Sequence, residues 1–387
     1  MIKYFGLFVL FQTTVLANKL GHDLTSLEMI LEAGYPAEQH KITTDDCYKI
    51  TLHRIPGPGK PVFLQHGLVD SSAAWLIAGT DHGGLAFRLA EAGYDVWLGN
   101  FRGNTYSRAH CTLNPDDDQD YWKFTWDEMA KYDLPSSLNF VLSHTGYEKL
   151  LYVGHSMGST SFMVMNSLDQ SWADRIELAT FLAPVAYVDH MLSPIRIIAP
   201  FAWAVEWITE FLGLGEFIPS NGFMDLLAEY ACDEGSWLQD VCENVVFLLC
   251  GYDKPQMNET MLSTIVNHIP AGASTYTILH YAQGVNTKEF MGFDWGNDEE
   301  NEAHHGQKEP PLYNLENVNA KVALYWGDGD WLAQPGDLIK IVSSLPNLVV
   351  NYQVPWEGWN HLDFMYAIDV DQYINFPLLE MFENLEK

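Results

Sequence analysis

Three residues in this chain have the types and the order for covalent ester chemistry: Ser156, Asp330 and His361. Ser156 lies in Leu150-Leu151-Tyr152-Val153-Gly154-His155-Ser156-Met157-Gly158-Ser159, an apolar run followed by Gly-x-Ser-x-Gly. The five-residue pattern alone is weak, and its context carries it. A strand that turns sharply into a helix strains the residue at the corner. Flanking glycines remove the side chains that would clash there. The serine hydroxyl is then held above the sheet at the positive end of a helix. The bland alternative is a glycine-lined helix start with an idle serine.

A serine hydroxyl is a poor nucleophile near neutral pH and needs a base. Fourteen histidines compete for that role. His155 neighbours Ser156, but a tight turn aims it elsewhere, and it is expected to pack beside the sheet. His304 and His305 sit in a polar stretch and are expected to be solvated. His361 stands apart, because Trp356-Glu357-Gly358-Trp359-Asn360-His361-Leu362-Asp363-Phe364 follows the last strand-like run. The acid that orients such a base belongs after the preceding strand. Ala323–Leu332 offers Asp328 and Asp330 there. Asp330 is favoured because apolar Trp331-Leu332 follows it, whereas Asp328 lies between glycines as a turn residue. The order Ser156, Asp330, His361 is then that of an α/β-hydrolase triad. The oxyanion donors are expected to be two backbone N–H groups. One is that of Met157; the other is that of Leu68, in Gln65-His66-Gly67-Leu68.

These residues need a scaffold. Short apolar runs at Val62–Gln65, Val96–Gly99, Leu150–Val153 and Thr180–Leu182 fit buried parallel strands. Helical stretches near Gly84–Ala92, Met129–His144 and Met157–Asp169 separate them. A strand pair, His40–Thr44 and Tyr48–Ile55, precedes them, after a capping box at Thr25-Ser26-Leu27-Glu28. The strand pattern resumes at Lys321–Trp326 and Val349–Val354, and a last helix is expected over Phe376–Leu385. Alternation of strand and helix predicts an α/β fold, an α/β-hydrolase sheet with a helical cap and lid inserted in it. The core is expected over 18–187 and 312–387, and the cap over 188–311. An insertion of about 125 residues far exceeds an ordinary connection. Pro194–Phe217 is apolar over most of its surface, which fits either cap packing or contact with lipid. Gly222–Ala231 is a candidate movable lid.

Composition narrows the function. The chain has 387 residues, with 20 Lys+Arg against 51 Asp+Glu, a formal charge of −31. Such a surface repels phosphate backbones, so no nucleic-acid partner is expected. Hydrophobic residues are 48% and charged residues 18%, which excludes a disordered chain. Met1–Ala17 carries one cation, Lys3, before an apolar run, and Val15 and Ala17 are small residues at a cleavage site: a secretory signal pattern. That run is too short for a membrane span, and no later segment qualifies, so no transmembrane segment is expected. A secreted protein, or one delivered to a lysosome, follows.

The five cysteines are Cys47, Cys111, Cys232, Cys242 and Cys250. In an oxidising compartment Cys232 and Cys242 are expected to pair across a short loop. The partners of the others are left open. Asn258-Glu259-Thr260 is a glycosylation sequon at Asn258. Asp116, Asp117, Asp118 and Asp120 lack the spacing and glycine of an EF-hand and read as a solvated acidic loop. No zinc spacing or nucleotide-binding glycine loop occurs, so no metal, no cofactor and no obligate protein partner are expected.

Taken together, Gly34-Tyr35-Pro36, Gln65-His66-Gly67-Leu68, Asn100-Phe101-Arg102-Gly103-Asn104, Gly154-His155-Ser156-Met157-Gly158, Phe293-Asp294-Trp295-Gly296 and Asn360-His361-Leu362-Asp363-Phe364 resemble the acid lipases, the gastric and lysosomal group. The resemblance spans nearly the whole chain after the leader. It implies an α/β-hydrolase core with a cap and lid, acting on neutral lipid esters such as triacylglycerol at an oil–water interface. It implies the same triad, the same oxyanion donors, a Cys232–Cys242 lid disulfide and a free Cys250. The chain departs from the pattern at Met157, where gastric-type members usually carry Gln, and at Asp46-Cys47-Tyr48, where Gly is usual in place of Cys47. It also departs at polar Val69-Asp70-Ser71-Ser72. Two other readings compete. One is a carboxylesterase or steryl ester hydrolase; the other is a catalytically silent lipid-binding protein on the same scaffold.

Overall fold

The computed structural model describes residues 24–193, 196, 199, 200, 202, 215–217, 247 and 249–385. The signal-peptide pattern at 1–17, Cys232, Cys242, the 222–231 lid candidate and most of 194–217 lie outside the described residues. Eight strands form one sheet in the order β1-β2-β4-β3-β5-β6-β9-β10. They are β1 Glu38–Thr43, β2 Lys49–Ile55, β3 Pro61–Gln65, β4 Asp95–Leu98, β5 Leu150–His155, β6 Ile176–Leu182, β9 Val322–Trp326 and β10 Leu348–Gln353. A separate two-stranded ribbon pairs β7 Glu216–Phe217 with β8 Ala273–Ser274. β2 is antiparallel to β1 and β4, and every other neighbour in the large sheet is parallel.

Burial follows position in the sheet. Every residue of β3, β4 and β5 is buried, because helices cover both faces of the parallel centre. The edge strands β1 and β10 alternate between more and less exposed residues, as half-covered strands do. Register then sets the site. Gln65 pairs with Gly154, His155 with Leu182 and Leu182 with Tyr325, so the carboxyl ends of β3, β5, β6 and β9 stand side by side. In an open α/β sheet that edge is where ligands bind.

Among the described residues, the strands and helices expected from the sequence are present, most with shifted ends, and one differs in kind. The single helix expected over Met129–His144 is a short helix Trp126–Glu128, a π-helical turn Met129–Asp133 and a helix Leu134–Thr145. Pro135 has no N–H to give the preceding turn, which accounts for the break. The wider turn turns Asp133 inward to Arg102, where its carboxylate takes the Arg102 backbone N–H at 2.9 Å and the guanidinium at 2.7 Å. A helix at Pro335–Ser344 was not foreseen. Pro335 starts it, and Leu338 and Ile341 bury its inner face. Between the expected core segments, helices Leu262–His268, Thr275–Thr287 and Asp298–His305 are described.

Candidate active site

Ser156 occupies a one-residue corner between β5 and the helix Met157–Leu168, with φ 52° and ψ −118°. A side chain rarely tolerates that backbone, and the neighbours hold it there. Ser156 N–H donates to Leu182 O at 3.0 Å. A Cβ on Gly154 would sit 2.8 Å from the Gly158 carbonyl carbon, and one on Gly158 only 2.4 Å from Gln65 O. The glycines therefore let the elbow close on itself and on β3. Ser156 is 8% exposed.

The Asp330 and His361 loops meet at this edge. His361 Nδ1 lies 2.7 Å from Asp330 Oδ2. The other Asp330 oxygen accepts N–H from Leu332 and Ala333, each at 2.8 Å. The carboxylate is thus fixed in rotation and 1% exposed. Its geometry makes Nδ1 the protonated nitrogen and leaves Nε2 as the basic one. Asp328, the rival acid, accepts from Gly358 N at 2.8 Å and only ties the two loops together. A Cβ on Gly329 would stand 2.0 Å from Gly358 O, so the loops touch backbone to backbone.

A third segment wedges between them. Cys250 O accepts from Trp331 N at 3.2 Å and from His361 N at 3.4 Å. Asn360 Nδ2 donates to Gly251 O at 3.2 Å, while Asn360 Oδ1 accepts from Leu362 N and Asp363 N. Below this lies a carboxyl pair. Asp253 and Asp363 lie close enough for the charge of Asp253 to disfavour ionisation of Asp363. Burial above all, then the neighbouring charges of Asp253 and Asp330, hold Asp363 well above the usual carboxylate range.

Two further histidines frame the site. His155 is buried, and its Nε2 lies 3.0 Å from His361 O, as its expected place beside the sheet allows. Burial, reinforced by the positive charge of His361, pushes it down to about 3. His66 was not singled out from sequence as more than part of a motif. Its Nδ1 lies 2.7 Å from Gly67 O, and its Nε2 accepts from Phe101 N at 3.0 Å, with Asn104 Nδ2 at 3.2 Å. Burial holds it down to about 4, so it stays neutral. It fastens the Gly67-Leu68 turn to the loop after β4. That turn lies against Ser156, since a Cβ on Gly67 would stand 3.1 Å from Ser156 Cβ.

One expectation fails. His304 and His305 are half-buried and held by partners rather than free in solvent. His304 stacks on Trp295 at 3.7 Å between centroids, and its Nδ1 bonds Glu128 Oε1 at 2.9 Å. His305 Nε2 bonds Phe293 O at 2.8 Å. The acidic helix Asp298–His305 packs its C-terminal face against the core, so polar composition alone misplaced them. Asp116, Asp117, Asp118 and Asp120 are exposed, as expected. Among the described residues, two clusters bring potential metal ligands together, Glu38-His40-His144 and Asp189-His190-Asp337. Their members are engaged: Glu38 with Arg54 at 2.8 Å, and His190 with Asp337 at 2.8 Å. The Asp189 cluster fastens the chain leaving β6 to the helix after Asp330. Asn258, the sequon residue, is half-buried, and its Oδ1 accepts from Thr260 N at 3.2 Å.

Residues 60–367 match the family described as alpha/beta hydrolase fold, and residues 27–79 match the partial alpha/beta-hydrolase lipase region. Lipase 3 of Drosophila melanogaster is 40% identical over 93% of this chain and 93% of its own. The lysosomal acid lipase/cholesteryl ester hydrolase of Macaca fascicularis is 39% identical over 88% of this chain and 86% of its own. Human gastric triacylglycerol lipase is 38% identical over 93% and 91%. Among solved structures, a thermophilic esterase from Thermogutta terrifontis superposes with a TM-score of 0.52 at 17% identity. It covers 90% of this chain and all of its own, a likeness of fold.

Proposed function

The chain belongs to the α/β-hydrolase lipases, and from that premise we propose that Ser156, Asp330 and His361 hydrolyse neutral lipid esters, triacylglycerol first, through an acyl-enzyme. The observation that carries the reading is the buried 2.7 Å bond from His361 to Asp330 at the sheet edge where Ser156 caps its helix. His361 Nε2 takes the Ser156 proton as Oγ attacks the ester carbonyl. The N–H groups of Leu68 and Met157 receive the oxyanion. Protonated His361 then gives its proton to the departing alcohol. In the second half it draws a proton from water, which attacks the acyl carbonyl and frees Ser156. Asp330 holds the tautomer and stabilises the cation. His155 stays neutral throughout and adds no second positive charge beside His361.

The helical segment 188–311 serves in this reading as a cap over the site, with Cys232–Cys242 as its disulfide. Export from the cytoplasm, with a glycan on Asn258, is supported by the leader pattern and by relatives named as lysosomal and gastric lipases. No helix among the described residues is long and apolar enough to cross a membrane. The name of the macaque relative favours a second substrate, cholesteryl ester.

The test is fatty-acid release from emulsified long-chain triacylglycerol and from cholesteryl oleate, by the wild type and Ser156→Ala, between pH 4 and 10. Release that vanishes in Ser156→Ala supports the proposal, and the ratio of the two substrates ranks them. Folded wild type that releases nothing from either, or Ser156→Ala that retains most activity, overturns it.

A further inference from the structure

Cys47 and Cys111 come from distant parts of the chain and meet. Cys47 ends the turn Thr44-Asp45-Asp46-Cys47, where its N–H donates to Thr44 O at 2.9 Å. Its φ is +76°, a conformation in which glycine is at ease and a side chain is not. Tyr48 and His110 form an antiparallel bridge, which places Cys47 opposite Cys111. Lys49 N donates to Ala109 O at 2.9 Å and Cys111 N to Cys47 O at 3.0 Å. Residues opposed in this way have Cα atoms about 5.5 Å apart, within the range a disulfide spans. The neighbouring Cys111 thiol, above all, pushes the Cys47 thiol up. Cys47 is half-buried and Cys111 exposed, so both are open to an oxidant. Cys250 is unlike them: it is buried, and burial pushes its thiol up, which makes it inert.

We propose that Cys47 and Cys111 form a disulfide in the mature protein. The bond forms when a disulfide donor of the secretory pathway, protein or glutathione, exchanges with the pair. The two thiols lose two protons and two electrons, one S–S bond forms, and the donor disulfide is reduced to two thiols. The inference rests on the export proposed above, since a reducing cytosol keeps such thiols apart.

The bridge encloses β2, β3 and β4 together with the Leu68 turn, and it pins the turn that holds Arg102. Asp46 receives both guanidinium nitrogens of Arg102, at 2.6 and 2.9 Å, and the Arg102 guanidinium stands 3.9 Å over the Tyr48 ring. Arg102 follows Phe101, whose N–H bonds His66. The cross-link therefore fixes the outer end of a chain of contacts that reaches the oxyanion turn.

The test uses the full chain secreted from a eukaryotic host, alkylated under denaturing conditions without reduction, digested and mass-analysed. A linked peptide containing Cys47 and Cys111, lighter by two hydrogens than the sum of its parts, is the expected result. In Cys111→Ser, Cys47 becomes alkylated. Both cysteines alkylated in the exported wild type, or Cys47 still blocked in Cys111→Ser, overturns the proposal. The N-terminus of the purified chain reads export separately. If the chain is not exported, the purified protein is treated with oxidised glutathione. A Cys47–Cys111 link then supports the proposal, and glutathione adducts on separate thiols overturn it.

Discussion

His155 Nε2 lies 3.0 Å from the carbonyl oxygen of His361, so the residue before the candidate nucleophile holds the backbone of the candidate base. For that contact to be a hydrogen bond Nε2 must carry the proton and donate. Burial pushes His155 down to about 3, and above that pH it is a neutral donor. Its role is positional. His155→Phe keeps the ring and removes the donor. The orphaned carbonyl costs about 1–3 kcal/mol of stability. The value of kcat is expected to fall on the order of 10-fold. The pH profile of kcat keeps its shape, because His155 does not titrate in the working range. A missing or displaced acid limb in His155→Phe rules this role out.

Asp330 and Asp328 lie two residues apart and separate cleanly by substitution. Asp330→Asn puts an amide against His361 Nδ1 and favours the wrong tautomer. By analogy with other triads, kcat falls on the order of 10⁴-fold with KM little changed. Asp328→Asn retains an oxygen for Gly358 N–H and stays within about 0.5 kcal/mol in stability, with activity near wild type. Initial rates on a soluble short-chain ester measure both. Equal losses in the two variants would remove the assignment of the acid to Asp330.

The candidate constellation could be read from sequence because each part was local. A five-residue elbow, a run of apolar residues before it, and two loops after strands are patterns of neighbours. The preference for Asp330 over Asp328 also rested on neighbours, Trp331 and Leu332 against two glycines. What escaped reading was made by contacts across the chain. His66 gains its role from Phe101 and Asn104, and the Asp253–Asp363 pair from a segment returning through Cys250. His304 and His305 were misplaced because polar neighbours in sequence do not reveal Trp295 and Glu128 in space. The π-helical turn at Met129–Asp133 had its signal in Pro135, but an inward Asp133 only makes sense once Arg102 is beside it.

Gly158 tests the contact between the elbow and β3. Gly158→Ala adds a methyl 2.4 Å from Gln65 O and 3.2 Å from His66 O. Backbone must shift, and the backbone in question leads into the Leu68 turn. Overpacking of this kind destabilises by about 1–3 kcal/mol. If the Leu68 turn carries an oxyanion donor as proposed, displacing it lowers kcat on the order of 10²-fold. Thermal melts and steady-state rates check the two effects separately. A variant with wild-type kcat would show that the turn does not depend on this contact.

Asp363 makes stability depend on pH. Its folded-state pKa lies well above the ordinary value of a carboxyl, with burial the main cause and the charge of Asp253 adding to it. Below about pH 3.9 the carboxyl is protonated in both the folded and the unfolded chain, and its contribution is flat. Above that, the unfolded chain releases a proton that the folded chain keeps, so the folded state binds more protons and stability falls as pH rises. The fall continues until pH passes the raised folded-state value. Asp363→Asn keeps the acceptor for Asn360 N–H, 2.6 Å away in the wild type, and cannot ionise. Its melting temperature is expected to decline less steeply than that of the wild type between pH 4 and 8, and to exceed it at the upper end. Melting curves across that range decide the matter: parallel slopes would mean that the pair does not govern the pH response, and a steeper slope in the variant would reverse the sign assigned here.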